Sequence, residues 1–226
     1  MGERFEALIQ GVESRIKLES VPLDPALSAP ATNERGVRIH CYNWRADLFE
    51  KISMMDTSVV VPPMQQLNAI FYPRPNCDAP IFLFLTVITK SNIIAIFNVC
   101  CPFKDSDYVE KYVDPLLPIL DRYRPFTGKH RNPDWFEKYR TPATVFGVYS
   151  KKEIAPITDC GLALLDRYLE STATSSTVDD KVRLKQIKTF QDQFRADIQT
   201  KDLGRKVLEK LTDEETAHRI FHEVAT

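Results

Sequence analysis

Glycine is scarce in this chain: there are 7 in 226 residues, and no two stand within three positions of each other. That spacing excludes G-x-G-x-x-G and G-x-x-x-x-G-K-[ST], because both need neighbouring glycines to bring backbone N–H groups onto phosphate. A redox enzyme built on this chain does not hold a nucleotide in a Rossmann-type loop. C-x-x-C is also missing. The five cysteines, Cys41, Cys77, Cys100, Cys101 and Cys160, are odd in number and two are adjacent. They suggest neither a disulfide framework nor a zinc or iron–sulfur site, and fit a reducing compartment. No charge dominates: 30 Lys and Arg face 31 Asp and Glu. A generic nucleic-acid binder would show a basic excess. The longest apolar stretch, Ala79 to Val87, is far too short to cross a membrane. The opening residues MGERFEALIQGVESRIKLES lack the apolar core of a signal peptide and are too acidic for a transit peptide.

What is present is an ordinary globular composition, with 43% apolar and 27% charged residues, in a chain long enough to bury a core without staples. One domain over 1–226 is the expectation. Phe5, Leu8, Ile9, Val12 and Ile16 predict a helix over 3–18. A proline-rich connector, Val21 to Pro30, follows. Val37–Tyr42, Lys51–Asp56, Met64–Phe71, Ile81–Thr89 and Asn92–Val99 read as strands, the last two joined as a hairpin through Thr89 to Asn92. Lys104 to Tyr123 reads as a helix that Asp107 caps or opens. Residues 124–142 form a long loop, and Thr144–Tyr149 is one more strand. Helices are predicted over 156–172, 178–199 and 204–223, with Ser171–Thr177 as a surface link. Strands in the middle and helices at both ends imply an antiparallel sheet covered by helices.

Few residues offer chemistry. His218 and His222 lie four apart with Glu214 one turn earlier, but Arg-Ile-Phe between them is not H-E-x-x-H, and a solvated helix end accounts for them. Cys100 and Cys101 alternate sides of a strand end, where one reads as a small core residue and a reactive thiol is the alternative. Asp78 stands among three prolines in FYPRPNCDAP. It either shapes a turn through its own backbone or serves a site. Asn98 interrupts the apolar strand IIAIFNVC. A buried amide there must be hydrogen-bonded, to nearby backbone or to a polar ligand. Asp202 in TKDLGRKVLEK precedes a helix, where capping is its simplest role.

Two blocks carry a family resemblance. FYPRPNCDAPIFLFLTVITKSNIIAIFNVCCPFKDSDYVEKY, residues 71–112, resembles the D-x-P hairpin, central strand and D-Y-x-x-x-Y helix of the ferredoxin-dependent bilin reductases. KDLGRKVLEKLTDEETAHRIFHEV, residues 201–224, is similar to their closing segment, an acidic residue before a C-terminal helix. The N-terminal 35 residues and the stretch around 171–180 match nothing specific.

The resemblance implies an α/β/α three-layer sandwich with a central antiparallel sheet, and a bilin held between the sheet and the C-terminal helices. It implies no bound flavin, nicotinamide or metal. Electrons arrive singly from a 2Fe–2S ferredoxin, and acidic side chains and water supply protons. Asn98 falls where many members place an aspartate, which resembles the members that reduce the A-ring diene, phytochromobilin synthase and phycoerythrobilin:ferredoxin oxidoreductase. Those rely on the acids found here as Asp78 and Asp202. Other regiospecificity, forming phycocyanobilin or dihydrobiliverdin, and a non-catalytic bilin-binding protein are the alternatives. Lys151, Lys201 and Arg205 are candidates to hold the bilin propionates. Lys129-His130-Arg131, Lys151-Lys152 and Arg205, Lys206 and Lys210 are candidates to steer an acidic ferredoxin. A monomer is expected, cytoplasmic in a bacterium or virus and stromal in an alga or plant.

Overall fold

The computed structural model describes residues 2–28, 32–123 and 133–226, with side chains from residue 9 onward. Seven strands form one sheet in the order β1 to β7, every neighbouring pair antiparallel. They are β1 (Glu19–Ser20), β2 (Val37–Ala46), β3 (Phe49–Val59), β4 (Met64–Pro73), β5 (Ile81–Ile88), β6 (Asn92–Cys100) and β7 (Val145–Ser150). Eight α-helices are described: α1 (Gly2–Arg15), α2 (Pro25–Ser28), α3 (Ser106–Tyr112), α4 (Leu117–Tyr123), α5 (Ile154–Ala173), α6 (Lys181–Lys201), α7 (Gly204–Leu211) and α8 (Glu214–Arg219). Short 3₁₀ turns cover Asp114–Leu116, Asp134–Tyr139 and Lys151–Glu153, and a π turn covers Ile220–Val224.

Alternation along the strands explains the layering. Leu67, Ala69, Phe71, Phe82, Phe84, Phe97 and Val99 pack on one face against Val12 of α1, Leu120 of α4 and Ile157, Leu164 and Tyr168 of α5. The residues between them, Ile70, Tyr72, Ile81, Leu83 and Cys100, pack on the other face against Phe194 and Ile198 of α6, Leu208 of α7 and Ile220 and Phe221. Both faces are therefore covered, which is why Ile81–Ile88 reads as one apolar run and not as an alternation. The α/β/α sandwich implied by the resemblance is the architecture found.

Several elements depart from the predicted ones. The helix expected over Lys104–Tyr123 breaks into α3, a 3₁₀ turn and α4, because Pro115 lacks an N–H and disfavours helical backbone before it. Its cap is Asp105, which accepts from Tyr108 N at 3.2 Å, and not Asp107. The helix expected over 204–223 breaks at Thr212. Asp213 caps a new one, accepting from Thr216 N at 2.7 Å. The connector Val21–Pro30 contains α2, and the loop expected over 124–142 contains the 3₁₀ turn at 134–139. The surface link is shorter than Ser171–Thr177, since α5 runs to Ala173 and Thr177 bridges to Cys77. The Thr89–Asn92 hairpin forms, with Thr89 Oγ1 accepting from Asn92 N at 3.1 Å.

Gly161 lets α5 approach the sheet. A Cβ there would lie 2.5 Å from Phe84 Cε2 and 3.0 Å from Phe97 Cζ, rings that are buried against each other. Alanine is favoured over glycine in a helix by about 1 kcal/mol, whereas overpacking a core costs about 1–3 kcal/mol. Gly161→Ala should therefore be destabilising. Equilibrium denaturation checks this, and a midpoint equal to or above wild type would refute the packing argument.

Candidate functional site

A cavity of about 360 Å³ lies between the sheet and the C-terminal helices. Its sheet wall is Ser53 and Met55 of β3, Asn68 and Ile70 of β4, and Leu83 and Leu85 of β5. Opposite stand Trp135 and Phe136 from the 3₁₀ turn, Ile198 of α6, Val207 of α7 and Phe221 and Val224 of the π turn. The lining is mostly apolar with a few polar groups, which suits a large, conjugated, largely apolar ligand. Two of those polar groups are incomplete. Asn68 Oδ1 and Trp135 Nε1 are buried with no hydrogen-bond partner among the described residues. An orphan acceptor and an orphan donor cost free energy until something meets them. A ligand carrying both N–H and C=O groups would do so. Neither residue was singled out from the sequence. The signal available was Asn68 between Leu67 and Ala69, where β4 turns from polar to apolar.

Among the described lining residues Asp202 is the single titratable side chain. It ends α6 with extended backbone (φ −71°, ψ 120°), and its Oδ1 accepts from Gly204 N at 2.7 Å. Burial raises its pKa, and the Gly204 hydrogen bond opposes that only in part. A carboxyl so placed keeps its proton closer to neutral pH. The sequence offered two roles for Asp202, cap and acid, and the geometry is compatible with both.

The residues expected around one ligand are not brought together. Asp78 lies beyond the other end of β5 and is not a lining residue. Its carboxylate accepts from Tyr112 Oη at 2.7 Å, Ser176 N at 3.2 Å and Lys111 Nζ at 3.4 Å, so it ties the β4–β5 loop to α3 and to the α5–α6 link. Asn98 is 1% exposed and also outside the lining. Its Nδ2 donates to Tyr139 O at 2.8 Å, and its Oδ1 accepts from Thr144 Oγ1 at 2.6 Å. The amide is spent on the protein. Lys151 opens the 3₁₀ turn before α5, in the opposite layer. Lys201 pairs with Asp197 at 2.7 Å and Arg205 with Glu209 at 3.0 Å. Lys129, His130 and Arg131 lie outside the described residues.

A buried carboxylate that the sequence did not reveal holds two walls together. Asp197 of α6 is 1% exposed. Tyr139 Oη donates to its Oδ2 at 2.7 Å, Lys138 Nζ lies 2.6 Å from that oxygen, and Gln193 Nε2 donates to Oδ1 at 3.0 Å. Burial alone would raise its pKa. The hydrogen bonds from Lys138, Lys201 and Tyr139 outweigh that and hold the carboxyl well below its usual range. The π turn is pinned as well, with Glu223 O accepting from Asn43 Nδ2 at 3.1 Å and Lys51 Nζ at 3.0 Å, and Ala225 O accepting from Tyr72 Oη at 2.7 Å. Among the described residues no group of His, Cys, Asp and Glu is placed to hold a metal ion, and no helix is long and apolar enough to cross a membrane.

Residues 5–225 match the family described as ferredoxin-dependent bilin reductase. The chain belongs to that family. No curated protein matches it. Among solved structures it is similar to phytochromobilin synthase from tomato in complex with biliverdin, with a TM-score of 0.85 at 17% identity over 98% of this chain and 81% of that one. At that identity the likeness is one of fold.

In this bilin reductase Asp197 sets the spacing between the Trp135–Phe136 wall and the end of α6 that carries Asp202. Asp197→Ala leaves Tyr139 Oη and the two ammonium groups without their shared acceptor. Losing one partner of a buried charge network costs about 3–5 kcal/mol, discounted here because both lysines are half-exposed. We expect a loss of about 2–3 kcal/mol at pH 7. The depressed folded pKa means that the wild-type contribution is present above the unfolded carboxylate pKa, about 4, and is lost as pH falls through the lower folded value. Wild type and variant should therefore converge in stability toward low pH. Urea titrations at pH 7 and at pH 3 and below check this, and a gap independent of pH would refute it.

Proposed function

We propose that the cavity takes a linear tetrapyrrole, biliverdin or 15,16-dihydrobiliverdin, and that the chain reduces its A-ring diene to phytochromobilin or phycoerythrobilin. Two reduced ferredoxins each give one electron, and the bilin takes up two electrons and two protons. Asp202 donates one proton from its raised-pKa carboxyl and is reprotonated from solvent, and water carries the second. The observation that carries this reading is Asp202 as the lone titratable side chain among the described residues that line an apolar cavity. The A-ring assignment is supported by the sheet wall, which offers Ser53, Gln66, Asn68 and Thr89 as polar groups but no acid. On this reading Asn68 Oδ1 accepts from a pyrrole N–H and Trp135 Nε1 donates to a lactam or propionate oxygen.

Asp202→Asn is the informative variant, because an amide Oδ1 can still accept from Gly204 N and so keep the cap. The variant should bind biliverdin with a wild-type visible spectrum. Given reduced ferredoxin anaerobically, it should form product about 10²–10⁴-fold more slowly and accumulate a one-electron-reduced bilin visible by electron spin resonance. The protonated carboxyl is the donor, so wild-type turnover falls as pH rises through the raised pKa, and that limb disappears in the variant. Asp78→Asn, outside the cavity, should show neither the radical nor the altered pH profile. Full product formation by Asp202→Asn would refute the assignment. Wild type that shifts the bilin spectrum but yields no product would identify a bilin carrier.

A further inference from the structure

We propose that the solvent face of α7 is the docking surface for the electron donor, a small acidic ferredoxin. The proposal rests on the reading that the neighbouring cavity holds the bilin. Leu203, which precedes α7, is 63% exposed, and Val207 four residues later is 47% exposed. Single exposed apolar residues need no explanation, but these two are helical neighbours and share their face with Lys206 and Lys210, both exposed. The face, at positions i, i+3, i+4 and i+7, carries two apolar side chains and two ammonium groups and no carboxylate. Glu209 is turned aside to pair with Arg205. Neither lysine has an ion-pair partner among the described residues, so both charges are free to meet another protein. An apolar centre with a charged rim is the composition of a specific, transient protein contact, and its sign selects an acidic partner.

Position decides between this face and the other basic groups. Gly204, Val207 and Leu208 line the cavity. One helix, about 10 Å across, is thus the full thickness between this surface and the cavity. Val207 reaches both sides. Electron transfer falls off steeply with distance, so a donor seated here delivers through the thinnest wall. Lys151 and Lys152 begin the approach to α5, in the layer beyond the sheet. A donor seated there would have the sheet between its cluster and the bilin.

The test uses the full chain with biliverdin and, in parallel, with 15,16-dihydrobiliverdin, and two electron sources. One is reduced ferredoxin at varied concentration, and the other is dithionite with methyl viologen, which needs no docking surface. Leu203→Glu and the double variant Lys206→Glu/Lys210→Glu leave the cavity lining intact. Each should raise the ferredoxin concentration for half-maximal rate by about tenfold, the scale of an interface anchor or a reversed charge pair. The biliverdin spectrum and viologen-driven turnover should stay as in wild type. Lys151→Glu/Lys152→Glu should stay within about twofold of wild type with either source. Unchanged ferredoxin dependence in the α7 variants would overturn the docking site. So would an equal loss with viologen, or a loss confined to the Lys151/Lys152 variant. Wild type that yields product from neither source would overturn the bilin-reductase reading and the docking proposal with it.

Discussion

The middle strands of the sheet carry large apolar side chains on both faces, so neither face can be left against water, and the arrangement of the helices follows from that. Phe71, Phe82 and Phe97 bring down α5 on one side, and Ile70, Tyr72 and Leu83 bring down α6 and the C-terminal turns on the other. The two layers are not equivalent. On the α5 side the fit is close enough that glycine is needed at position 161. On the C-terminal side the helices stop short of the sheet toward the hairpin end, and the gap is the cavity. The site is the part of the second interface that the protein does not fill with itself.

Keeping that gap open requires its walls to be held from outside. Asp197 does so through charge, gathering Lys138, Lys201 and Tyr139 from two separate segments. Asn98 adds to it from the sheet, since its amide holds the Tyr139 carbonyl while Tyr139 Oη holds Asp197. A continuous polar chain thus runs from β6 through the 3₁₀ turn to α6, behind the cavity and not in it. Such a network is costly if half-satisfied and rigid when complete. It explains how an apolar cavity keeps Trp135 and Asp202 at a set separation.

The layering and the hairpin were legible in the sequence because they rest on local patterns: strands in sequence order, a four-residue turn, proline-punctuated helices. The two helix breaks carried local signals too, Pro115 and the Asp213 cap, that the apolar periodicity around them obscured. Site residues were legible only as oddities. The amide of Asn98 is as buried as its apolar neighbours suggested, but its partners lie 41 and 46 residues away, and nothing in IIAIFNVC says whether they belong to the protein or to a ligand. Asp197 hides in the polar run QDQFRADIQ, where one carboxylate looks like any other until Lys138 arrives from a distant turn. Asp202 stood out through the closing block that carries the resemblance, whereas its position at a helix boundary pointed only to a cap.

The wall made by the π turn is held by side chains from β2, β3 and β4 that are 153 to 180 positions earlier in the chain. Closing so long a loop costs entropy that only the last contacts return. The cavity does not exist as an enclosure without that closure, so it rests on contacts of long sequence separation. A bilin seated between β4 and Phe221 touches both ends of that loop at once. On the proposed function it would act as a reversible cross-link, its binding energy adding to the stability of the C-terminal wall in proportion to the logarithm of its concentration.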